Sequence, residues 1–120
     1  MLNALSKCRQ GSAKMLEGAD CAIVVIGNEE LTDVWTEDCS IAMSNMHLMA
    51  DSLGLGSCWI QCRLRTAHDG SSTEAYVRNY LKFPENYRLE AILSIGIPVE
   101  KPAPHSVSEL SGKRIHMEKY

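Results

Sequence analysis

Residues 34–62 read VWTEDCSIAMSNMHLMADSLGLGSCWIQC, and this stretch decides the fold. Trp35, Cys39, Ala42, Met46, Met49, Ala50 and Leu53 recur at helical spacing, so they form one wide apolar stripe that has to be buried. Thr32 or Asp33 stands where an N-cap belongs. Val34, Ile41 and Leu48, seven apart, lie nearly opposite the stripe and give the helix a second, narrower apolar face. Leu53-Gly54-Leu55-Gly56 closes the helix, with the glycines serving as C-cap and tight turn. Ser57-Cys58-Trp59-Ile60-Gln61-Cys62 then reads as a strand whose far end presents backbone to a flat ligand.

Outward from this stretch the chain keeps alternating. Leu2 to about Leu16 is rich in helix formers, divided at Gly11-Ser12 and stopped by Gly18. Asp20–Ile26 (DCAIVVI) is a continuous β-branched run, which predicts a strand covered on both faces and therefore central. Downstream, the polar loop Arg63–Ser72 leads to Ser71-x-x-Glu74, a capping-box spacing before a helix over Ala75–Leu81. Pro84 ends that helix and Arg88–Ile97 supplies a third strand. Pro98, Pro102 and Pro104 then favour an extended arm. An arm of this kind needs a surface, and a neighbouring subunit offers one. The order α-β-α-β-α-β, followed by an arm, makes one domain of residues 1–120 with helices packed on a small sheet.

Composition excludes several classes. The 120 residues are 45% apolar with a net charge of -3, enough for one core but without the basic footprint of a nucleic-acid or membrane-surface binder. The longest apolar run, Cys21–Ile26, is too short for a bilayer, and no signal-peptide pattern opens the chain, which places it in the cytoplasm. Five cysteines without C-x-x-C spacing sit inside apolar patterns and read as reduced thiols packed in a core. No two histidines have ligand spacing, and Cys58 and Cys62 lack further ligands, so no metal is expected. Gly54-Leu55-Gly56 closes a helix rather than opening one, and Trp59 stands where a third glycine belongs, which argues against a dinucleotide-binding fingerprint. Walker, G-x-S-x-G and H-E-x-x-H motifs are absent.

Several segments together resemble the FMN-dependent nitroreductases, and they occur in that family's order. These are L-S-K-C-R-x-G-S-A-K at Leu5–Lys14, A-D-C-A-I-V-V-I-G at Ala19–Gly27, W-x-E-D-C-S-x-A-x-x-N from Trp35, L-G-L-G-S-C-W-I from Leu53, Y-V-R-N-Y-L-K-F-P-E-N-Y from Tyr76 and G-I-P-V-E-K-P from Gly96. The resemblance implies an α+β fold, with helices on a small mixed or antiparallel sheet, working as an intertwined homodimer with an extended C-terminal arm. It further implies FMN at the subunit interface, hydride taken from NADH or NADPH onto flavin N5, and a small-molecule electron acceptor such as a nitroaromatic or quinone.

Carried over by position, Trp59, Ile60, Gln61 and Cys62 match the family's flavin-facing strand end. Trp59 and Ile60 then cover the ring and the Cys62 N–H is the N5 donor, where relatives often have glycine. A backbone N–H held by a sheet is a preorganised donor for the charge that hydride brings to the ring. Lys101 and His105 are the candidates for the phosphate. Arg63 and Arg65 read equally as phosphate donors or as solvated loop charges. The family's arginine-rich R-R-S-x-R segment and its P-S-x-x-N-x-Q-P-W loop are not in this sequence, so the expected member is incomplete at the phosphate end. The alternative reading is a non-catalytic dimerisation or interaction module that keeps the core and binds no flavin.

Overall fold

The computed structural model describes residues 1–119. It is built on an antiparallel sheet of β1 (Cys21–Asn28), β2 (Gly56–Gln61) and β3 (Tyr87–Gly96), in the order β1-β3-β2. The last strand in sequence is therefore central. Leu89–Ser94 are all buried, whereas Ile23 on β1 remains 39% exposed, so the expectation that β1 is the central strand is corrected. Its continuous apolar run reflects one neighbour strand and partial cover on each face, not full enclosure.

Three helices and a short turn cover the sheet: the four-residue α1 (Leu2–Leu5), a 3-10 turn at Lys14–Leu16, α2 (Trp35–Ser52) and α3 (Thr73–Leu81). On one face Met43 of α2 packs with Ala91 and Leu93, with Val25, Met46, Trp59 and Ile95 around them. On the other, Ile60, Cys62, Leu89 and Ile92 meet Leu5, Leu16 and Val77. Leu89 and Ile92 are three apart, a spacing strict alternation cannot put on one face. A β-bulge resolves it: Val25 pairs with Ala91 but Ile26 pairs with Leu89, leaving Glu90 as the extra residue of β3.

The buried line of α2 is narrower than the sequence suggests. Cys39, Met43 and Ala50 are buried and Met46 is half-buried, while Met49 and Leu53 of the expected stripe are 59% and 67% exposed. The helix lies on the sheet along positions 39, 43, 46 and 50, so Met43 enters the core. Val34, Ile41 and Leu48 are exposed, as the second face requires. The N-cap is Val34 with no side-chain cap bond, and Thr32 Oγ1 instead accepts from the Val34 N–H at 3.2 Å.

The stop is a Schellman motif: Gly54 has φ +75, its N–H donates to Asp51 O, and the Leu55 N–H donates to Ala50 O, both at 2.9 Å. A positive φ of this kind suits glycine. The α3 cap is Ser72, one residue beyond the expected Ser71, with its hydroxyl accepting from Ala75 N–H at 3.1 Å. Glu74 is thereby free of the box. It accepts from Arg78 at 3.0 Å, Arg88 at 3.1 Å and the Leu89 N–H at 2.9 Å, tying α3 to β3.

Candidate functional site

The free edge of β2 defines the site. The Cys62 N–H donates to the Glu90 carbonyl at 3.1 Å, and in an antiparallel ladder only every second residue faces its partner strand. With the observed register, Cys58, Ile60 and Cys62 bond across to β3. Ser57, Trp59 and Gln61 therefore turn their N–H and C=O groups to the outer edge, where no strand among the described residues pairs with them. The last donor on that edge is the Gln61 N–H.

Glu90 anchors the end of this strand. Its carbonyl accepts from the N–H groups of Cys62 and of Arg63, the latter at 2.9 Å. Its carboxyl Oε1 accepts from Gln61 Nε2 at 3.1 Å, and Gln61 Oε1 accepts from the Trp59 indole N–H at 2.8 Å. An indole only donates, so the Gln61 amide has one permitted orientation. Glu90 is 3% exposed and its Oε2 has no hydrogen-bonding partner among the described residues. A carboxylate inside the mostly apolar run LEAILSIGI was the signal that this position is special, because buried carboxyl groups are rare unless paired.

The expected site residues separate. Gln61 and Trp59 lie on the α2 side, Trp59 half-buried against Met43 and Leu93. Ile60 is 0% exposed and lies in the opposite core, so it cannot cover a ring beside Trp59. The expectation that Cys62 supplies a free N–H is also corrected, since that amide is engaged by Glu90 O. The Cys62 thiol, buried and sharing a hydrogen bond with Cys8, is pushed well above the ordinary thiol range, while Cys8 is lowered by the same bond. Burial raises Cys39 as well.

Lys101 and His105 lie on the exposed arm, and with His47, Gly56 and Ser57 they line a cleft at the opposite end of β2. Five residue steps from Gly56 to Gln61 span roughly 17 Å. His105 Nδ1 sits 2.7 Å from Glu109 Oε2 and His47 Nδ1 2.6 Å from Ser57 Oγ. Among the described residues no group of three or more His, Cys, Asp and Glu is placed to hold a metal, and no helix is long and apolar enough to cross a membrane.

Beyond Cys62 the chain turns sharply: the Arg65 N–H donates to Cys62 O at 3.2 Å, with Leu64 at φ +56. The Arg63 guanidinium lies over the Trp35 ring, 5.8 Å from its centroid. On the neighbouring rim, Arg88 pairs with Glu29 at 2.7 Å, and that ion pair holds the Glu29 carboxyl below its usual range.

An α+β layer of this order, with a central last strand and a helix stop feeding an open-edged strand, matches a known class. The nitroreductase family pattern covers residues 2–97, and the chain belongs to that family. An FMN-dependent nitroreductase from Clostridium difficile superposes with a TM-score of 0.94 at 43% identity, covering 99% of this chain and 69% of that one. A structure from Bacteroides thetaiotaomicron, provisionally named NADH dehydrogenase/NAD(P)H nitroreductase, gives 0.84 at 31% identity, covering 99% and 66%. A protein of the same provisional name from Archaeoglobus fulgidus is 34% identical over 112 residues, 89% of this chain and 62% of its own length. The chain thus spans between half and two thirds of the curated relatives it matches.

Proposed function

We propose that this chain forms the ring-facing part of an FMN-dependent NAD(P)H oxidoreductase of nitroreductase type, with the Gln61 N–H as the donor to the flavin N5 edge. The observation that carries the reading is the parity of β2, which leaves the Gln61 N–H outward at the end of an otherwise paired strand. When bound, the flavin would supply hydride acceptance from NADH or NADPH and delivery of electrons to a small acceptor. The chain's own task is positional. Gln61 N–H is held by a sheet and by Glu90, so it can stabilise negative charge at the ring edge without reorganising. Trp59, fixed through its indole N–H, flanks that edge on the α2 side.

The phosphate is a separate matter. Lys101 and His105 remain its proposed partners, yet in one chain they stand at the far end of β2 from Gln61. A second copy is therefore part of the proposal. The exposed Val34, Ile41 and Leu48 face of α2 supports pairing, and the proline-rich arm supports reach toward a partner.

Flavin titration with Gln61→Pro and Gln61→Ala tests the reading. Proline is tolerated where a strand's N–H faces outward, so Gln61→Pro deletes the proposed donor without breaking a ladder bond, whereas Gln61→Ala keeps it; both lose the side-chain bonds to Glu90 and Trp59, so the difference between them reads the donor. The expected result is riboflavin or FMN binding weakened about tenfold by proline beyond the effect of alanine, the worth of one charge-assisted bond. Equal effects of the two substitutions remove the donor assignment. Failure of the unsubstituted chain to bind either flavin at any concentration favours the non-catalytic module.

A further inference from the structure

Two thiol side chains with no part in the flavin reading meet in the core. Cys8 and Cys62 are 0% and 1% exposed, neither is in a disulfide, and they share a hydrogen bond within the cluster that holds Leu5, Leu16, Ile60 and Val77. They are far apart in sequence and come from different layers. Cys62 follows β2, whereas Cys8 sits in the irregular stretch between α1 and the Lys14–Leu16 turn. The Cys62 S–H has two acceptors in reach, the Ile60 carbonyl at 3.3 Å and the Cys8 sulfur. The other cysteines are placed differently: Cys21 is exposed, Cys58 is half-buried, and Cys39 is buried on α2, which covers the opposite face.

The backbone on either side holds the pair together. Thr73, 0% exposed, donates its hydroxyl to Cys8 O at 2.6 Å and its N–H to Arg65 O at 2.9 Å, and the Arg65 N–H donates to Cys62 O at 3.2 Å. A short path of hydrogen bonds thus runs from one cysteine to the other. The Gln10 N–H to Thr66 O, at 3.0 Å, and the His68 N–H to Lys7 O, at 3.1 Å, clamp the residues flanking Cys8 onto the same loop. The bond with Cys62 holds the Cys8 thiol below its ordinary value, against the pull of burial and with help from the Arg9 charge. The same contact, with burial, pushes Cys62 up. One sulfur is therefore the readier thiolate while the other keeps its proton, an asymmetry that suits stepwise oxidation. The segment carrying Cys8 has only a four-residue helix and a single 3-10 turn, the kind of region that opens locally and admits a water-sized reagent.

We propose that Cys8 and Cys62 are a redox-active pair that a small hydroperoxide converts to a disulfide inside the folded chain. With hydrogen peroxide, the Cys8 thiolate attacks one oxygen, an S–O bond forms as the O–O bond breaks, and the departing hydroxide takes the Cys62 proton and leaves as water. The Cys62 thiolate then attacks the Cys8 sulfenic acid. An S–S bond forms as the S–O bond breaks, and the second hydroxide leaves as water with the proton that Cys8 first released. Two thiols and one peroxide give one disulfide and two waters. The bond closes a loop containing β1, α2 and β2 and ties the N-terminal segment to the end of the edge strand. Closing so long a loop restricts the unfolded chain, so the oxidised form is the more stable one. Nothing in this step requires flavin.

The test is hydrogen peroxide treatment of the reduced 120-residue chain, without flavin, followed by alkylation in urea, intact mass and peptide mapping. The expected result is one cross-linked pair, Cys8 with Cys62, reversed by dithiothreitol. Cys21→Ser, which lacks the exposed thiol, should form the same pair with a mass loss of two hydrogens. The thermal midpoint of the oxidised chain should lie above that of the reduced chain by at least about 5 °C. Peroxide added to the chain already unfolded in urea should instead favour short loops such as Cys58 with Cys62. Cys8→Ser and Cys62→Ala should each abolish the native cross-link, and the pairing mapped in the unsubstituted chain decides the matter if either variant fails to fold. Free Cys8 and Cys62 thiols after peroxide has oxidised Cys21, a different native pairing, or a cross-link that lowers the midpoint would overturn the proposal.

Discussion

Replacing Gln61 with alanine strips both partners from a buried relay, and the structure fixes the sign and size of the loss. Glu90 is 3% exposed and, among the described residues, its Oε2 is unpartnered and its Oε1 accepts from Gln61 Nε2 alone, at 3.1 Å. Without Gln61 the whole carboxyl group is buried and unbonded, which costs about 1–3 kcal/mol. The half-buried Trp59 indole N–H loses its acceptor at 2.8 Å as well, a further ~1 kcal/mol. Urea unfolding, followed by circular dichroism and by tryptophan emission, should show Gln61→Ala destabilised by about 2–4 kcal/mol. Most of that loss belongs to the stranded carboxyl, so Gln61→Ala/Glu90→Ala should be more stable than the sum of the single changes predicts, by at least about 1 kcal/mol. Additive single and double variants, or a Gln61→Ala midpoint equal to that of the unsubstituted chain, would refute the relay.

The exposed α2 face predicts that Leu48→Asp leaves the fold intact and shifts sedimentation toward the monomer; an unchanged monomer in both forms removes the pairing proposed through Ile41 and Leu48. Thiol titration of the native chain should find the exposed Cys21 reactive and the buried Cys8, Cys39 and Cys62 silent. Cys39 and Cys62 have raised native pKa values, so their contribution is whole below the ordinary thiol value of 9.0 and is lost as pH climbs toward the native values, because the unfolded chain releases those protons first. Stability should therefore fall above about pH 9, less steeply in Cys39→Ala, whereas a flat alkaline profile would contradict the burial of these thiols.

The order of elements was legible because each is local. The 34–62 stretch carries helical spacing, a glycine stop and a β-rich run, and all three form where the pattern puts them, with strand boundaries shifted by about one residue. What the pattern could not supply was long-range. The position of β3 between β1 and β2 depends on pairings of residues some 30 to 70 positions apart, and the apolar run of β1 reads the same on an edge as in a centre. Met43 was missed for a related reason. Two apolar stripes on α2 compete for the sheet, and the crossing of the helix over Ala91 and Leu93 decides which residues enter.

That the Cys62 N–H is bonded within the sheet has a sharper cause. In a β-strand one parity sets two things together: which face a side chain takes and which edge its N–H addresses. Reading Trp59 to Cys62 as one flavin-facing strip treats four successive residues as equivalent, but the strand splits them. Ile60 and Cys62 put their side chains into the core with Leu89 and Ile92 and their amides toward β3; Trp59 and Gln61 do the reverse. The parity was recoverable from burial alone, because Ile60 and Cys62 are the residues a core would select from I-Q-C. The bulge was not recoverable in the same way, since it takes the structure to see that Glu90 lets Leu89 rejoin the core while its own carboxyl crosses to Gln61. A one-residue insertion in the central strand thus orients the edge strand's last side chain, and the donor we propose is Gln61 rather than Cys62 as a consequence.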